Sequence, residues 1–205
     1  MMKFIWPRRR EALRAVRLGL VVVAAMALSA CVTRQINTES FAEMPVAVGR
    51  VLVVYRPAEL QRIGQGTQPA FVAEMQRQRQ RRIIEMFGDS VEQRLPDGLD
   101  TLGIKSRFVR ANAFETVLGS QAIRSAFSHV LLIMPQRDQQ VCNYISNCSH
   151  QLTVRAILFG SSSPSALWRA DFEEPFINSV FIYQSRYDEL ADYVLKGLKA
   201  AVKPR

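Results

Sequence analysis

Few side chains in this 205-residue sequence are of the types that do chemistry: three cysteines and two histidines stand among many aliphatic residues. Cys142 and Cys148 bracket five residues, and His150 follows two positions on. Thiols at that spacing can close a disulfide across a short loop. They can also contribute to a metal site, but zinc takes C-x₂₋₄-C pairs with two further ligands. The other histidine, His129, is far off in sequence, so the disulfide is favoured over the metal. No C-x-x-C redox pair is present. Neither a metal nor a dissociable cofactor is expected.

Nucleophilic hydrolysis needs a Ser or Cys close to a His and an acid. The run Ser161-Ser162-Ser163 lacks the G-x-S-x-G elbow and reads as a turn. His129 and His150 each follow a serine and open a strand. Each is expected to be a strand-end polar residue, with the general base of a hydrolase as the alternative role. Glu173-Glu174 precedes Pro175 in an expected loop. Adjacent residues of an extended chain point to opposite faces, so the two carboxylates need not converge. Gly64-Gln65-Gly66 lacks the third glycine of a dinucleotide fingerprint. These observations favour a non-enzymatic binding role. A hydrolase acting on peptidoglycan or esters is the alternative.

The segment 76–82 carries Arg77, Arg79, Arg81 and Arg82 with no acid among them. Charge runs usually mark a solvated face, here with Glu74, Arg77, Arg81 and Glu85 as an ion-paired helical row. The sharper reading is a contact surface for an anionic lipid or glycan, because the arginine fork suits phosphate and carboxylate alike.

The N-terminus has the three parts of a secretory signal. Lys3, Arg8, Arg9, Arg10, Arg14 and Arg17 form a basic region opposed only by Glu11, and an apolar run spans 18–28. A membrane-spanning helix needs about 20 consecutive apolar residues; this run is shorter and is flanked by Arg17 and Arg34. The run ends in Leu28-Ser29-Ala30-Cys31. That group resembles a bacterial lipobox, the cleavage signal of lipoproteins. The resemblance implies removal of 1–30 and covalent lipid on Cys31, and two or more acyl chains anchor a protein stably where one does not. Val32 is not the aspartate that the family associates with inner-membrane retention. The resemblance therefore implies the outer membrane, facing the periplasm. Residues 1–30 hold six of the 27 Lys/Arg and one of the 18 Asp/Glu, leaving 21 against 17, a net of +4. A surface that mildly basic excludes the footprint of a nucleic-acid binder. An oxidising periplasm also favours the Cys142–Cys148 disulfide. The partners expected are the membrane, through the anchor, and an envelope protein.

The elements that would carry these groups are next. Residues 31–49 are the lipidated cysteine and a tether; the thirteen from 32 to 44 could span ~40 Å. Residues 50–205 form a single domain. Continuous apolar runs at 50–55 and 129–134 predict strands covered on both faces. Between them lie a helix from about 69 to 95, stopped by Pro96-Asp97-Gly98, a strand at 104–110, and a short helix within 114–127. The long helix carries the apolar stripe Ile84, Phe87, Val91, Leu95, which continues backward onto Gln80, Gln76 and Ala73. Strands at 152–159 and 166–172 follow, the latter with Trp168 near an edge. The last helix starts at Ser185 with an N-cap arrangement to Asp188. The order β-α-β-(α)-β-β-β-α predicts a mixed α/β fold, one sheet of four to five strands with helices packed on it. It is similar to the small domain of several envelope lipoproteins, including penicillin-binding-protein activators and the amino-terminal domain of the Tol-Pal β-propeller protein. That similarity implies an accessory role in an envelope complex and carries no functional residue across.

Overall fold

The computed structural model describes residues 34–57, 70–112, 114–142, 148–163, 165–176 and 183–205. The signal segment, Cys31, Gly64 and Gly66 lie outside the described residues. In chain order the elements are β1 (Arg34–Ser40), β2 (Val46–Val48), β3 (Arg50–Tyr55), α1 (Ala70–Asp100), β4 (Lys105–Arg110), α2 (Phe114–Gly119) and α3 (Gln121–Ala126). They continue with β5 (His129–Cys142), β6 (Cys148–Gly160), β7 (Ala166–Phe176), α4 (Gln184–Ala201) and β8 (Val202–Pro204). The fold is mixed α/β, as expected. The main sheet has six strands, in the order β1-β7-β6-β5-β3-β4, and β2 pairs with β8 in a small parallel sheet.

The strand count corrects the expectation of four to five. Arg34–Ser40 was read as tether, yet it pairs antiparallel with β7, Arg34 opposite Glu173 and Ser40 opposite Trp168. The strand lies on the edge of the sheet, and its described side chains are mostly exposed. No apolar alternation was available to reveal it, because one-sided burial is what writes that pattern.

β3 runs parallel to both of its neighbours, β4 and β5. Crossovers of one hand that lead to opposite sides of a strand pass over opposite faces of the sheet, and the core divides accordingly. Val51, Val53, Tyr55, Leu131 and Ile133 join the cluster under α1 and α4. Leu52, Val54, Val130 and Leu132 join a second cluster against Val117, Ile123 and Phe127 of the α2–α3 segment. That second layer stops at Ile157 and Phe159 of β6. Beyond it the outer face of the sheet turns polar, and cross-strand ion pairs form between facing residues. Arg155 grips Asp171 through Nε and Nη2 at 2.7 and 3.0 Å, and Arg169 pairs with Glu39. Trp168, expected near an edge, is instead 2% exposed in the core cluster.

Two prolines do not end elements as expected. β5 runs on through Pro135 to Cys142, with the register against β6 shifting between Pro135 and Arg137, a place where a residue lacking an N–H is tolerated. α1 runs on through Pro96. Its end is built by Gly103 at φ +74, with Gly103 N–H donating to Asp100 O and Ile104 N–H to Leu99 O. That pairing is a Schellman motif, closed by the buried Leu99 and Ile104.

α1 and α4 pack closely. Ser90 Oγ donates to Asp188 at 2.7 Å, Gln184 donates to Ser90 at 2.6 Å, and Arg94 reaches Asp188 at 3.2 Å. Burial pushes the Asp188 carboxyl up, but the hydrogen bonds it accepts from Ser90, Arg94 and, at 3.5 Å, Gln184 outweigh it and hold the group below its ordinary value. Asp188 therefore ties the two helices together. The expected N-cap is absent: α4 begins at Gln184 after Tyr183, which makes no side-chain cap. Two glycines of α1 allow close approach. A Cβ on Gly98 would meet Leu195 Cδ2 at 2.0 Å, and one on Gly88 would meet the Tyr55 ring at 2.7 Å. Among the described residues no helix is long and apolar enough to cross a membrane.

The Tyr55 ring is fully buried and cannot retreat. Gly88→Ala is therefore expected to lower the unfolding free energy by about 1–2 kcal/mol, the cost of overpacking exceeding the gain in helix propensity. Denaturant titration checks this; an unchanged or raised midpoint would refute the close-approach role.

Candidate functional site

β3 ends at Tyr55 and the chain leaves toward α1 on one face, whereas β4 ends at Arg110 and leaves toward α2 on the other. In open α/β sheets a divergence of this kind, at the carboxyl ends of parallel strands, is where ligands bind. A cleft of about 500 Å³ lies here, lined by Tyr55, Pro57, Arg81, Ile84, Glu85, Arg110 and Asn112.

Its floor is fixed. The Tyr55 hydroxyl donates to the Ile84 carbonyl at 2.6 Å, and its ring stands edge-on to Phe87 at 5.8 Å. Burial pushes the phenol far above its ordinary value, so Tyr55 is a neutral donor. On the rim, Arg110 donates to Asp89 at 2.5 Å and to Glu92 at 2.8 Å. Burial pulls this guanidinium down, and those two hydrogen bonds more than restore it. With two acids on it, Arg110 is neutralised in place. Arg81 has no ion pair among the described residues and is exposed, so it is the cation the cleft can offer. The lining contains no Cys, His or Ser. Such an arrangement can hold a small ligand by an anionic group.

Of the four arginines singled out in the sequence, the structure brings only Arg81 to this cleft. Arg77 pairs with Glu74 at 2.7 Å, as expected of the solvated row, and Arg82 is exposed. Arg79 turns inward. The buried stripe of α1 is Leu95, Val91, Phe87 and Ile83, and one turn further back it falls on Arg79. Burial lowers the Arg79 pKa against the opposing pull of Asp138 and Tyr187. Its Nε, and Oε1 of Gln76, are buried without a hydrogen bond. A single surface of four arginines is therefore corrected to three outward and one inward.

Glu174 lies on the same layer, since Asp138, Leu152 and Glu174 share a register row across β5, β6 and β7. It was expected in a loop and is in β7, with 0% exposure. Arg186 Nη1 stands 3.4 Å from its Oε1, but neither carboxylate oxygen accepts a well-formed hydrogen bond. Arg186 is closer to Glu189, at 3.0 Å, so its charge is shared. Burial therefore wins, and the Glu174 carboxyl is pushed up to about 7.

His129 opens β5, as expected, and is 9% exposed. Its Nδ1 lies 3.0 Å from Ser128 Oγ. Ser128 Oγ also lies 2.9 Å from the Arg50 carbonyl and accepts from the Arg50 N–H at 3.1 Å, and which of His129 and Ser128 donates follows the tautomer of the imidazole. Burial and then the Arg205 charge both lower the His129 pKa. His150 is placed by backbone register alone, opposite Gln140 and Phe176. Cys142 and Cys148 are direct cross-strand partners. Among the described residues no group of three metal-ligating side chains converges.

Tyr55, Ile84, Glu85, Arg110 and Asn112 were not singled out from sequence as site residues. The available signal was positional: Tyr55-Arg56-Pro57 ends a strand that feeds a helix.

No family model matches the chain, and no curated protein matches it. Among solved structures it is similar to the PelC dodecamer of Paraburkholderia phytofirmans, at 16% identity over 82% of this chain and 96% of that one, with a TM-score of 0.41. It is also similar to protein XCC0632 of Xanthomonas campestris (14%, 80% and 90%, 0.39) and to lipoprotein GNA1162 of Neisseria meningitidis (11%, 74% and 98%, 0.39). At these scores neither a residue role nor an activity transfers.

A carboxyl raised on folding stabilises the native state below its unfolded pKa and loses that contribution as pH rises through the folded value. For Glu174 the window is between 4.5 and about 7. Across it the domain is expected to lose ~1–3 kcal/mol of stability. Glu174→Gln should flatten that slope in urea titrations run at several pH values; an unaltered slope would show that Glu174 is ionised in the native state.

Proposed function

We propose that the chain is a lipid-anchored, periplasm-facing lipoprotein of the outer membrane. Its α/β domain serves a larger envelope assembly by binding rather than by turnover. The observation that carries this reading is Leu28-Ser29-Ala30-Cys31, set at the end of an apolar run behind a basic region. Val32, in place of an aspartate, favours the outer membrane. The geometry of the sites supports the binding half of the reading. The cleft under Arg81 offers a cation beside an apolar floor. The hydrolase alternative, with His129 or His150 as base, draws no support from burial and the Arg205 charge, which both make His129 a weaker base.

Cys142 and Cys148 form a disulfide in this reading. Facing residues of an antiparallel pair have Cα atoms about 4.5–5.5 Å apart, inside the bridging range. The bridge would contribute about 2 kcal/mol by closing the hairpin tip in the unfolded chain.

Growth with a fatty-acid probe should label the wild-type protein, and Cys31→Ser should lose the label; retained label would sink lipidation at that residue. Crosslinking in intact cells should recover an envelope protein with the wild type, and recovery no better than a mock control would sink the accessory role. For the bridge, thiol alkylation of the denatured, unreduced protein is expected to leave Cys142 and Cys148 unmodified. Alkylation without prior reduction would show free thiols.

A further inference from the structure

Once Arg34 belongs to the sheet, the anchor has little freedom. Two residues, Val32 and Thr33, separate Cys31 from Arg34, so the lipidated residue can stand at most about 10 Å from the start of β1. The register fixes which end of the sheet that is. Arg34 pairs with Glu173, and the row continues through Thr153 to Arg137. The next residue of β5, Asp138, is the acid whose charge acts on Arg79 of α1. Arg34 is thus level with about Arg79.

The helix continues past that level. From Arg79 to Phe71 is eight residues, about 12 Å of helix rise, beyond the carboxyl ends of β3 and β4 and in the direction in which β5 also continues, about 13 Å past Asp138 to Cys142. These first turns carry a run of exposed side chains on one side: Phe71, Met75, Gln78 and Arg82, at spacings of four, three and four. Phe71 is 72% and Met75 51% exposed, among the most exposed large apolar residues described. Arg81 and Arg82, below them, have no ion pair among the described residues. Apolar side chains at the helix tip with unpaired cations behind them suit an anionic lipid surface, which takes up the apolar groups and attracts cations held within about a Debye length of it.

We infer that this end of the domain rests on the bilayer, with Phe71 and Met75 entering the headgroup layer of anionic phospholipid and Arg81 and Arg82, about 15 Å further along the helix, drawn toward its charge without touching its phosphates. The inference rests on lipidation of Cys31. It orients the domain so that the α1 tip faces the membrane while the turn between β6 and β7, at the other end of the sheet, faces the periplasm.

Site-specific tryptophan fluorescence tests it on the intact mature lipoprotein. The protein is purified in detergent and reconstituted into phosphatidylethanolamine–phosphatidylglycerol vesicles with brominated acyl chains. Phe71→Trp and Ser162→Trp both replace exposed residues, and the native Trp168, 2% exposed, gives a constant background. Added emission from Phe71→Trp should fall by about half relative to unbrominated vesicles, and that from Ser162→Trp should not change. Arg81→Gln with Arg82→Gln should weaken the quenching of Phe71→Trp, as should replacing phosphatidylglycerol by phosphatidylcholine. Protein that sediments with the vesicles while Phe71→Trp stays unquenched would overturn the orientation and leave the anchor standing. A copy of this chain or a protein partner would then be the occupant of the α1 tip. Protein that fails to sediment with the vesicles would overturn the anchor, and the orientation with it.

Discussion

The constraint on which the molecule depends is that β3 beyond Arg50 and the first five residues of β5 have no exposed face. Residues 51–55 and 129–133 are buried throughout, and a strand of that kind is stable only between two layers. Helices must therefore cover both sides, and the crossovers from β3 to β4 and from β4 to β5 supply them. The same requirement sets the limits of each layer. α2 and α3 are short and cover the β3–β5 half; where they stop, β6 and β7 present Arg155, Asp171 and Arg169 outward. α1 is 31 residues long, more than twice the rise needed to cross six-residue strands. It overhangs the sheet.

That overhang divides the domain into two regimes. From Ile83 downward α1 is seated on apolar side chains. Above that level its inward positions are polar, and the groups beneath it include Asp138 and the wholly buried Glu174. Several of the polar atoms there lack hydrogen bonds, a cost that the apolar core below must offset. Local opening is therefore cheapest at this end. The cleft lies at the boundary between the regimes, where Tyr55 closes the apolar core and Arg81 begins the charged overhang.

The two-layer elements are legible in the chain itself. The strands at 50–55 and 129–134, the α4 face and the stripe of α1 are written by residues that repeat at the period of their own element. The site is poorly legible there. Arg81 was noticed as one of four like residues, and nothing local separates it from Arg79. Two residues, about 200° around the helix, separate Arg79, which faces Asp138, from Arg81, which faces the cleft. The stripe had been extended backward onto Gln80 and Gln76; Gln76 was correct, and Arg79 was hidden because an arginine does not look like a core residue. Asp188 was read as a capping partner from spacing alone, whereas the approach of Ser90 and Arg94 made it a tie between helices.

Local chemistry was thus determined by the sequence itself: which segments must be buried on both faces, where the helical stripes run, and which residues compose the group ending at Cys31. These depend on neighbours a few residues apart. The tertiary structure decided everything that depends on strangers in the chain. It made a polar stretch into an edge strand, because the groups satisfying its backbone lie more than 120 residues away on β7. It carried α1 through Pro96 until a glycine could close the helix. It also converted seven of the thirteen residues of apparent tether into a sheet edge that begins three residues after Cys31. Hydrogen bonding across the sheet is specific in register but blind to composition, so no pattern along the sequence announces it.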